Sequence, residues 1–406
     1  MASSTPYTLK WGIMATGGIA ETFCKDLLTD PKVRDVHDVA HQIVAVASST
    51  SPDRAAAFIT KIDGPASAKA YGSYADLVAD PHVDIVYVAT PHSHHFQNAM
   101  LALRAGKHVL CEKPLTVAAG QAAKLVDMAR AKKLFFMEAV WTRFFPLSIR
   151  VRELIASGEI GTVYRTMADL SLNENTNQDD GKLSFPDSHR MVSKDLAGGA
   201  LLDLGIYPLT WVFQTLYHLQ PSSSSSSSSP KETPTVLAAM NKYHTGADEN
   251  TSVICQFPRT KAIGIATASL RVGTSPQGQK TAAPAIRIQG SRGEIQVAHP
   301  AYRPTSYRVI KKDADDDDDG GEVVECPIPV DSNRGSWGQG MFWEADECAR
   351  CIRDGRIQSD GMPWEESMAM MQVMEEALRQ GGIEYPELIT SDEFDAESSL
   401  NTGKRS

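Results

Sequence analysis

From residue 8 the chain alternates short apolar runs with stretches whose apolar positions recur every three or four residues. The runs predict strands at Leu9–Met14, Ile43–Ala47, Ile85–Ala89, His108–Cys111 and Leu134–Met137. The periodic stretches predict helices at Ile19–Leu28, Asp53–Ile62, Phe96–Ala105 and Val117–Lys132. Gly106 closes the third helix, and the fourth begins after a proline, both ordinary boundary signals. Strand and helix in regular alternation build βαβ units and a parallel sheet.

Near Thr162 the pattern changes. Val163–Leu170, Pro234–Met240, Ser252–Phe257, Ala262–Arg271, Ile286–Gln289 and Glu294–Val297 read as strands, and from Pro234 onward no helix intervenes between them. That order favours an antiparallel or mixed sheet. A helix over Leu201–Tyr217 separates the first of these strands from the rest, and helices near Phe342–Arg353 and Trp364–Arg379 close the pattern. The expected fold is an α/β domain followed by an α+β domain with a large, mainly antiparallel open sheet. The boundaries fall at 1–140 and 141–390, and 391–406 is expected to be a disordered tail. The serine run Ser222–Ser229 and the aspartate run Asp315–Asp319 read as solvated loops, the second on a hairpin.

A chain of 406 residues is long for one core, so two domains suit its length. The formal net charge of −10 opposes a nucleic-acid groove, which needs a basic stripe. No apolar run is expected to span a bilayer, and Met1–Lys10 lacks a signal-peptide pattern, so a cytoplasmic location is the expectation. Cys348 and Cys351 form a CxxC, but without a second pair in register. The six cysteines are expected to be free thiols, and no metal site is expected.

Chemistry enters at the first strand-to-helix turn. Ala15-Thr16-Gly17-Gly18-Ile19-Ala20 is a G-x-G-x-x-G/A turn with alanine at the first glycine, where an ordinary φ is expected. Gly17 lets the backbone approach a pyrophosphate, whose charge is favoured at a helix N-terminus. This marks a dinucleotide-binding Rossmann domain. After the second strand an NAD enzyme usually carries a carboxylate for the ribose 2′-hydroxyl. This chain has Ser48-Ser49-Thr50-Ser51, with Arg54 following, which suits the 2′-phosphate of NADP.

Three further stretches are Thr90-Pro91-His92-Ser93-His94-His95, Glu112-Lys113-Pro114 and Gly198-Gly199-Ala200-Leu201-Leu202-Asp203-Leu204-Gly205-Ile206-Tyr207. With the glycine turn they resemble the glucose–fructose oxidoreductase, inositol dehydrogenase and rhizopine-catabolism superfamily over about residues 8–388. Met137-Glu138-Ala139-Val140-Trp141-Thr142-Arg143-Phe144-Phe145-Pro146 looks like its dimeric dihydrodiol dehydrogenase branch, which includes NADP-dependent D-xylose 1-dehydrogenases.

The resemblance implies NADP-dependent oxidation of an aldopyranose at C1, D-xylose foremost, or of a trans-dihydrodiol to a catechol. It places Tyr207 opposite Lys113 as an acid/base pair. A free tyrosine has a pKa near ~10 and needs a nearby cation to exchange protons at neutral pH. Asp203, one helical turn before Tyr207, borders the substrate and orients the pair. Thr90, Pro91, His95, Glu112 and Lys113 join the cofactor set. Trp141, Arg143 and Phe144 either hold a sugar's apolar face or pack the core, and Arg190 serves either the substrate or the interface of a homodimer. A non-catalytic NADP-binding regulator is the alternative from another class. Relatives of that kind tend to lose the lysine that stands here as Lys113.

Overall fold

The computed structural model describes residues 5–176, 181–221, 230–277, 283–312 and 320–403. The chain forms two compact units, neither of them a single stretch. The first comprises residues 1–141, 328–367 and 387–406, and the second 142–327 and 368–386. The expected linear division therefore needs correction: the first unit takes back two later segments.

In the first unit, strands β1 (Tyr7–Met14), β2 (Val39–Ala47), β3 (Lys69–Tyr71), β4 (Ile85–Val88), β5 (His108–Glu112) and β6 (Phe136–Ala139) form one sheet. Its order is β3-β2-β1-β4-β5-β6, with every pair parallel. Helices α1 (Gly18–Leu27), α2 (Pro52–Lys61), α3 (Tyr74–Ala79), α4 (His95–Arg104) and α5 (Ala119–Lys132) connect the strands. The order reverses between β1 and β4, and ligands of such sheets bind outside the strand ends at that reversal. β3 and α3 escape the hydrophobic pattern because three and six residues are too few to show a period.

In the second unit, α6 (Pro146–Ala156) precedes β7 (Val163–Ser171). Proline at its first position and buried Leu147, Val151 and Leu154 explain this helix, which the pattern reading missed. A π turn at Leu201–Gly205 leads into α7 (Ile206–Leu216). Then follow β8 (Thr235–Lys242), β9 (Asp248–Phe257), β10 (Ala262–Ser269), β11 (Ile286–Gly290), β12 (Gly293–Val297), β13 (Ser306–Lys311) and β14 (Val323–Glu325). The eight-stranded sheet runs β14-β13-β12-β11-β7-β10-β9-β8, with only the β7–β10 pair parallel. α7 packs on β7 and β10, covering one face. The other face presents Leu237, Ile254 and Ile263 as exposed apolar side chains.

The serine and aspartate runs lie outside the described residues. Gln220 clasps the base of the first, accepting from the Glu232 amide at 2.6 Å and donating to its carbonyl at 3.2 Å. The strands flanking the second, β13 and β14, pair antiparallel as a hairpin does. Residues 194–216 are long and apolar enough to cross a membrane by length and composition, contrary to expectation. This stretch is 94% buried in the fold, as a core helix is.

Helix α8 (Phe342–Arg353) belongs to the first unit, α9 (Trp364–Gln380) continues from the first into the second, and α10 (Glu387–Thr390) and α11 (Ser399–Thr402) return to the first. A buried chain of polar groups ties α8 to the sheet. Arg34 donates twice to Asp346, at 2.8 Å each, and His41 Nε2 lies 2.9 Å from the same carboxylate. Trp11 Nε1 can only donate, so His41 Nδ1 accepts and its Nε2 carries the proton given to Asp346.

The expectation of a disordered tail is corrected for residues 391–403. Leu400 and Asn401 are buried, and Asn98 of α4 donates to the Leu400 carbonyl at 3.0 Å and to the Asn401 side chain at 2.9 Å. The stretch is polar in sequence, so its order comes from these amide contacts and not from an apolar face.

Candidate active site

The β1–α1 turn brings Ala15, Thr16, Gly17, Gly18 and Ile19 to the C-terminal edge of the parallel sheet. Ala15 has φ +91°, not the ordinary value expected for it, so a Cβ sits in a conformation that favours glycine. Gly17 is the N-cap of α1, with extended backbone and no side-chain cap. A Cβ added at Gly17 or Gly18 would meet nothing within 4 Å. The first amides of α1 thus face open space in which a pyrophosphate fits.

At the next edge, Ser48 Oγ accepts from the Thr50 amide and lies 3.1 Å from its hydroxyl. Ser51 caps α2 through the Asp53 amide. Ser49 is hydrogen-bonded to Tyr74 of α3, whose phenol also feels the charge of Arg54. Arg54 is exposed in the first turn of α2. No carboxylate lies between Ala47 and Pro52 to oppose a 2′-phosphate.

Beyond β4, Thr90 is buried with its hydroxyl unpartnered, and Pro91 opens the short turn His92–His94. His95 is fully buried, with Nδ1 2.8 Å from the Pro114 carbonyl and Nε2 3.0 Å from the Thr90 carbonyl. It ties the loop after β4 to the loop after β5. Burial pulls its pKa down to about 3 against those two carbonyls, which favour the protonated ring. His94 is lowered to about 4 by burial.

Glu112 is buried at the end of β5. Tyr87 donates to its Oε1, and its Oε2 accepts from the Lys113 amide at 3.1 Å, fixing the backbone at that lysine. Glu344 of α8 is buried with both carboxyl oxygens unpartnered, and burial beside Glu112 and Asp26 pushes it well above the usual carboxylate range. Among the described residues no three His, Cys, Asp or Glu side chains gather as a metal site, and all six cysteines are free.

The open glycine edge, the orphaned Thr90 hydroxyl and the hydroxyl-and-arginine rim after β2 together fit NADP. Gly17, Gly18 and the α1 amides would hold its pyrophosphate, Ser49, Thr50 and Arg54 its 2′-phosphate, and Thr90 its nicotinamide side. Trp141 ends the first unit's leading segment and is buried.

In the second unit Arg190 Nη1 lies 2.8 Å from Asp203 Oδ1, so the structure joins two residues that the sequence left apart. Asp203 falls within the π turn, a distortion often found at functional sites, and Tyr207 follows in the first turn of α7. The Tyr207 ring stands 5.7 Å from Tyr302, a residue the sequence reading missed. Tyr302 is held by its backbone: Thr142 donates to its carbonyl at 2.6 Å, and Trp211 Nε1 donates to the Ala301 carbonyl at 2.9 Å. No motif announces it; only aromatic character in a loop between strands could have drawn notice. Arg143 is fully buried, 3.0 Å from His218 Nδ1, and Phe144 is buried too.

A doubly wound domain with an open glycine turn, joined in sequence to an open-sheet domain carrying a helix-borne tyrosine, defines a dinucleotide-dependent oxidoreductase. The sequence matches the GFO/IDH/MocA oxidoreductase family with NAD-binding Rossmann fold over residues 9–140, and the GFO/IDH/MocA C-terminal domain over 149–296. It is 65% identical over 405 residues to a D-xylose 1-dehydrogenase (NADP(+)) of Hypocrea jecorina, covering 100% of both chains. It is 34% identical over 382 residues to the human trans-1,2-dihydrobenzene-1,2-diol dehydrogenase, covering 93% of this chain and 98% of that one. Its fold is similar to that of levoglucosan dehydrogenase, with a TM-score of 0.74 at 18% identity over 92% of this chain and 97% of the other. The chain belongs to the GFO/IDH/MocA oxidoreductase family. With no carboxylate after Ala47, and with Ser49, Thr50 and Arg54 at that edge, it is an NADP-dependent oxidoreductase.

Proposed function

We propose that the chain oxidises an aldopyranose at C1, D-xylose foremost, giving the lactone and NADPH, with Tyr207 and Lys113 as the acid/base pair. The whole-length identity of 65% to a D-xylose 1-dehydrogenase carries this reading. NADP, when bound, accepts the hydride that leaves C1. Tyr207 takes the proton from the C1 hydroxyl, and the Lys113 ammonium favours the phenolate that does so. Glu112 fixes the Lys113 backbone through its amide. Asp203, held by Arg190, orients the sugar hydroxyls, and Tyr302 beside Tyr207 offers a ring for the sugar's apolar face. The reaction runs in the cytoplasm.

The closest competing substrate is a trans-dihydrodiol, favoured by the 34% identity to the human enzyme of that name. Parallel assays at fixed NADP, following the reduced cofactor, separate the two. D-xylose is expected to give the higher kcat/KM. A preference for the dihydrodiol would reverse the assignment, and turnover of neither would favour a regulator.

The protein acts as a homodimer joined through the exposed sheet face. The support is its apolar content, Leu237, Ile254 and Ile263, on the side away from α7. Light scattering at micromolar concentration is expected to give twice the chain mass, and Ile254→Lys with Ile263→Lys to give a monomer.

A further inference from the structure

We propose that His189 is a specificity-determining residue of the substrate site, donating from its ring Nε2 to a hydroxyl of the sugar that Asp203 orients. His189 lies in the loop between β7 and the π turn, directly before Arg190. Arg190 Nη1 stands 2.8 Å from Asp203 Oδ1. The charges of both Arg190 and Asp203 reach the His189 ring. The imidazole and the carboxylate therefore belong to one neighbourhood of the second unit.

The ring is held from several sides. Phe185 stacks on it with centroids 4.5 Å apart and planes 2° from parallel. The Met191 amide donates to Nδ1 at 3.3 Å. The backbone of His189 is fixed as well: its amide donates to the Pro186 carbonyl at 2.8 Å, and its carbonyl accepts from the Val192 and Ser193 amides. Because Nδ1 accepts, the neutral ring carries its proton on Nε2. Burial, and then the charge of Arg190, hold its pKa below the ordinary value against Asp203 and Glu174, so the ring is neutral at pH 7. Among the described residues nothing accepts from Nε2, and the side chain is half-buried. Fixing a loop histidine costs conformational entropy, yet the donor so fixed is left unused by the protein. A preorganised donor of this kind suits a ligand.

The chemistry selects the ligand. A carboxylate can only accept, and this tautomer of His189 can only donate at Nε2. A hydroxyl does both, so the two groups together read neighbouring hydroxyls in opposite senses. An aldopyranose oxidised at C1 keeps several ring hydroxyls for such contacts. A trans-dihydrodiol spends one of its pair on the reaction and has a single one left. His189 thus favours the sugar. The inference rests on the sugar-oxidising reading above and adds to it the residue that tells the two substrate classes apart.

The test uses the full chain, with steady-state kinetics on D-xylose and on the monodeoxy analogues that each lack one ring hydroxyl. NADP+ titration and the melting temperature are measured beside them. His189→Phe keeps a flat ring against Phe185 and removes the donor. Its KM for D-xylose is expected to rise about tenfold, as for one lost hydrogen bond, with kcat, NADP+ affinity and melting temperature unchanged. The analogue lacking the hydroxyl that His189 reads is expected to show the same KM in both enzymes, while the others rise as D-xylose does. Phe185→Ala, which frees the ring, is expected to raise KM in the same direction by less. An unchanged KM for D-xylose in His189→Phe would overturn the proposal, as would an equal rise for every analogue. A wild type that does not oxidise D-xylose would instead overturn the proposed function.

Discussion

Gly17-Gly18 opens α1 in the first unit, and Gly198-Gly199 opens the helical run carrying Asp203 and Tyr207 in the second. Side by side the pairs look alike in sequence, yet their surroundings are opposite. Around Gly17 and Gly18 a Cβ would meet nothing within 4 Å. At Gly198 it would stand 2.7 Å from the Arg190 carbonyl, and at Gly199, where φ is +138°, 2.0 Å from Asp248 Oδ1. Asp248 fills that space while its other oxygen accepts from the Leu201 amide and the Thr251 hydroxyl. The first pair keeps room for something that is not protein. The second lets the protein close upon itself and fixes the start of the helical run that carries Tyr207. A glycine pair before a helix therefore says only that a side chain is unwelcome, and the neighbours decide why.

The largest effect should come from what the second turn positions. Tyr207→Phe is expected to cut kcat by ~10²–10⁴-fold, the usual worth of positioned proton transfer, with NADP+ affinity retained. Adding Lys113→Met should cost little more if the two act as the proposed acid/base pair. Near-full turnover in Tyr207→Phe would pass the role to Asp203 or a histidine.

The two glycine pairs should part next. Gly199→Ala is expected to destabilise the fold by about 2–4 kcal/mol in denaturant unfolding, through collision and positive φ. Gly17→Ala, at φ −81°, should stay within about 0.5 kcal/mol of wild type while losing affinity for NADP+. Similar stability losses in both would erase the contrast.

Acid should loosen the first unit through two buried histidines. His94 and His95 have pKa values lowered to about 4 and about 3, so both are neutral in the fold at pH 5. The unfolded chain, with histidines near ~6.5, takes up those protons first. Stability is therefore full above pH ~6.5 and falls with falling pH, by ~1.4 kcal/mol per unit for each histidine, until the folded values are reached. His95→Gln should flatten part of that slope.

The smallest effect concerns Ala15. Glycine there is expected to stabilise by about 0.5–1 kcal/mol, because φ +91° strains a Cβ more than glycine's extra freedom costs. No gain on thermal unfolding would mean the strain is already relieved by neighbours.

The parts of the site that could be read from sequence share one property: each is made within a few residues. The turn at Ala15–Ile19, the hydroxyls after Ala47 and the loops at Thr90 and Lys113 are strand ends followed by helix starts, so their place on the sheet follows from their order. Asp203 and Tyr207 were found only through family resemblance. Tyr302 was not found, because Thr142 and Trp211 hold it from distant segments. Arg190 could be named but not aimed, since its partner is Asp203 across a π turn that no periodicity marks. The tail misled for a related reason. Its composition is polar, and Gln97 and Asn98, which order it, lie some 300 residues earlier. Reading Ala15 as unstrained failed because the motif fixes residue types and not torsions.

The bond between Arg34 and Asp346 also sets a timetable. The two residues are 312 positions apart, and the whole second-unit segment 142–327 is made between them. At ~5–20 residues per second, a nascent first unit waits ~15–60 s for the carboxylate that its guanidinium needs. Through that interval β1, β2 and the helices on them lack α8, and the groups that end fully buried face the ribosome-side solvent. The six strands of the first sheet emerge early but gain their final cover late. This enzyme is thus expected to lean on chaperones during synthesis more than a chain with contiguous domains, and a fragment ending at residue 141 should not hold its fold.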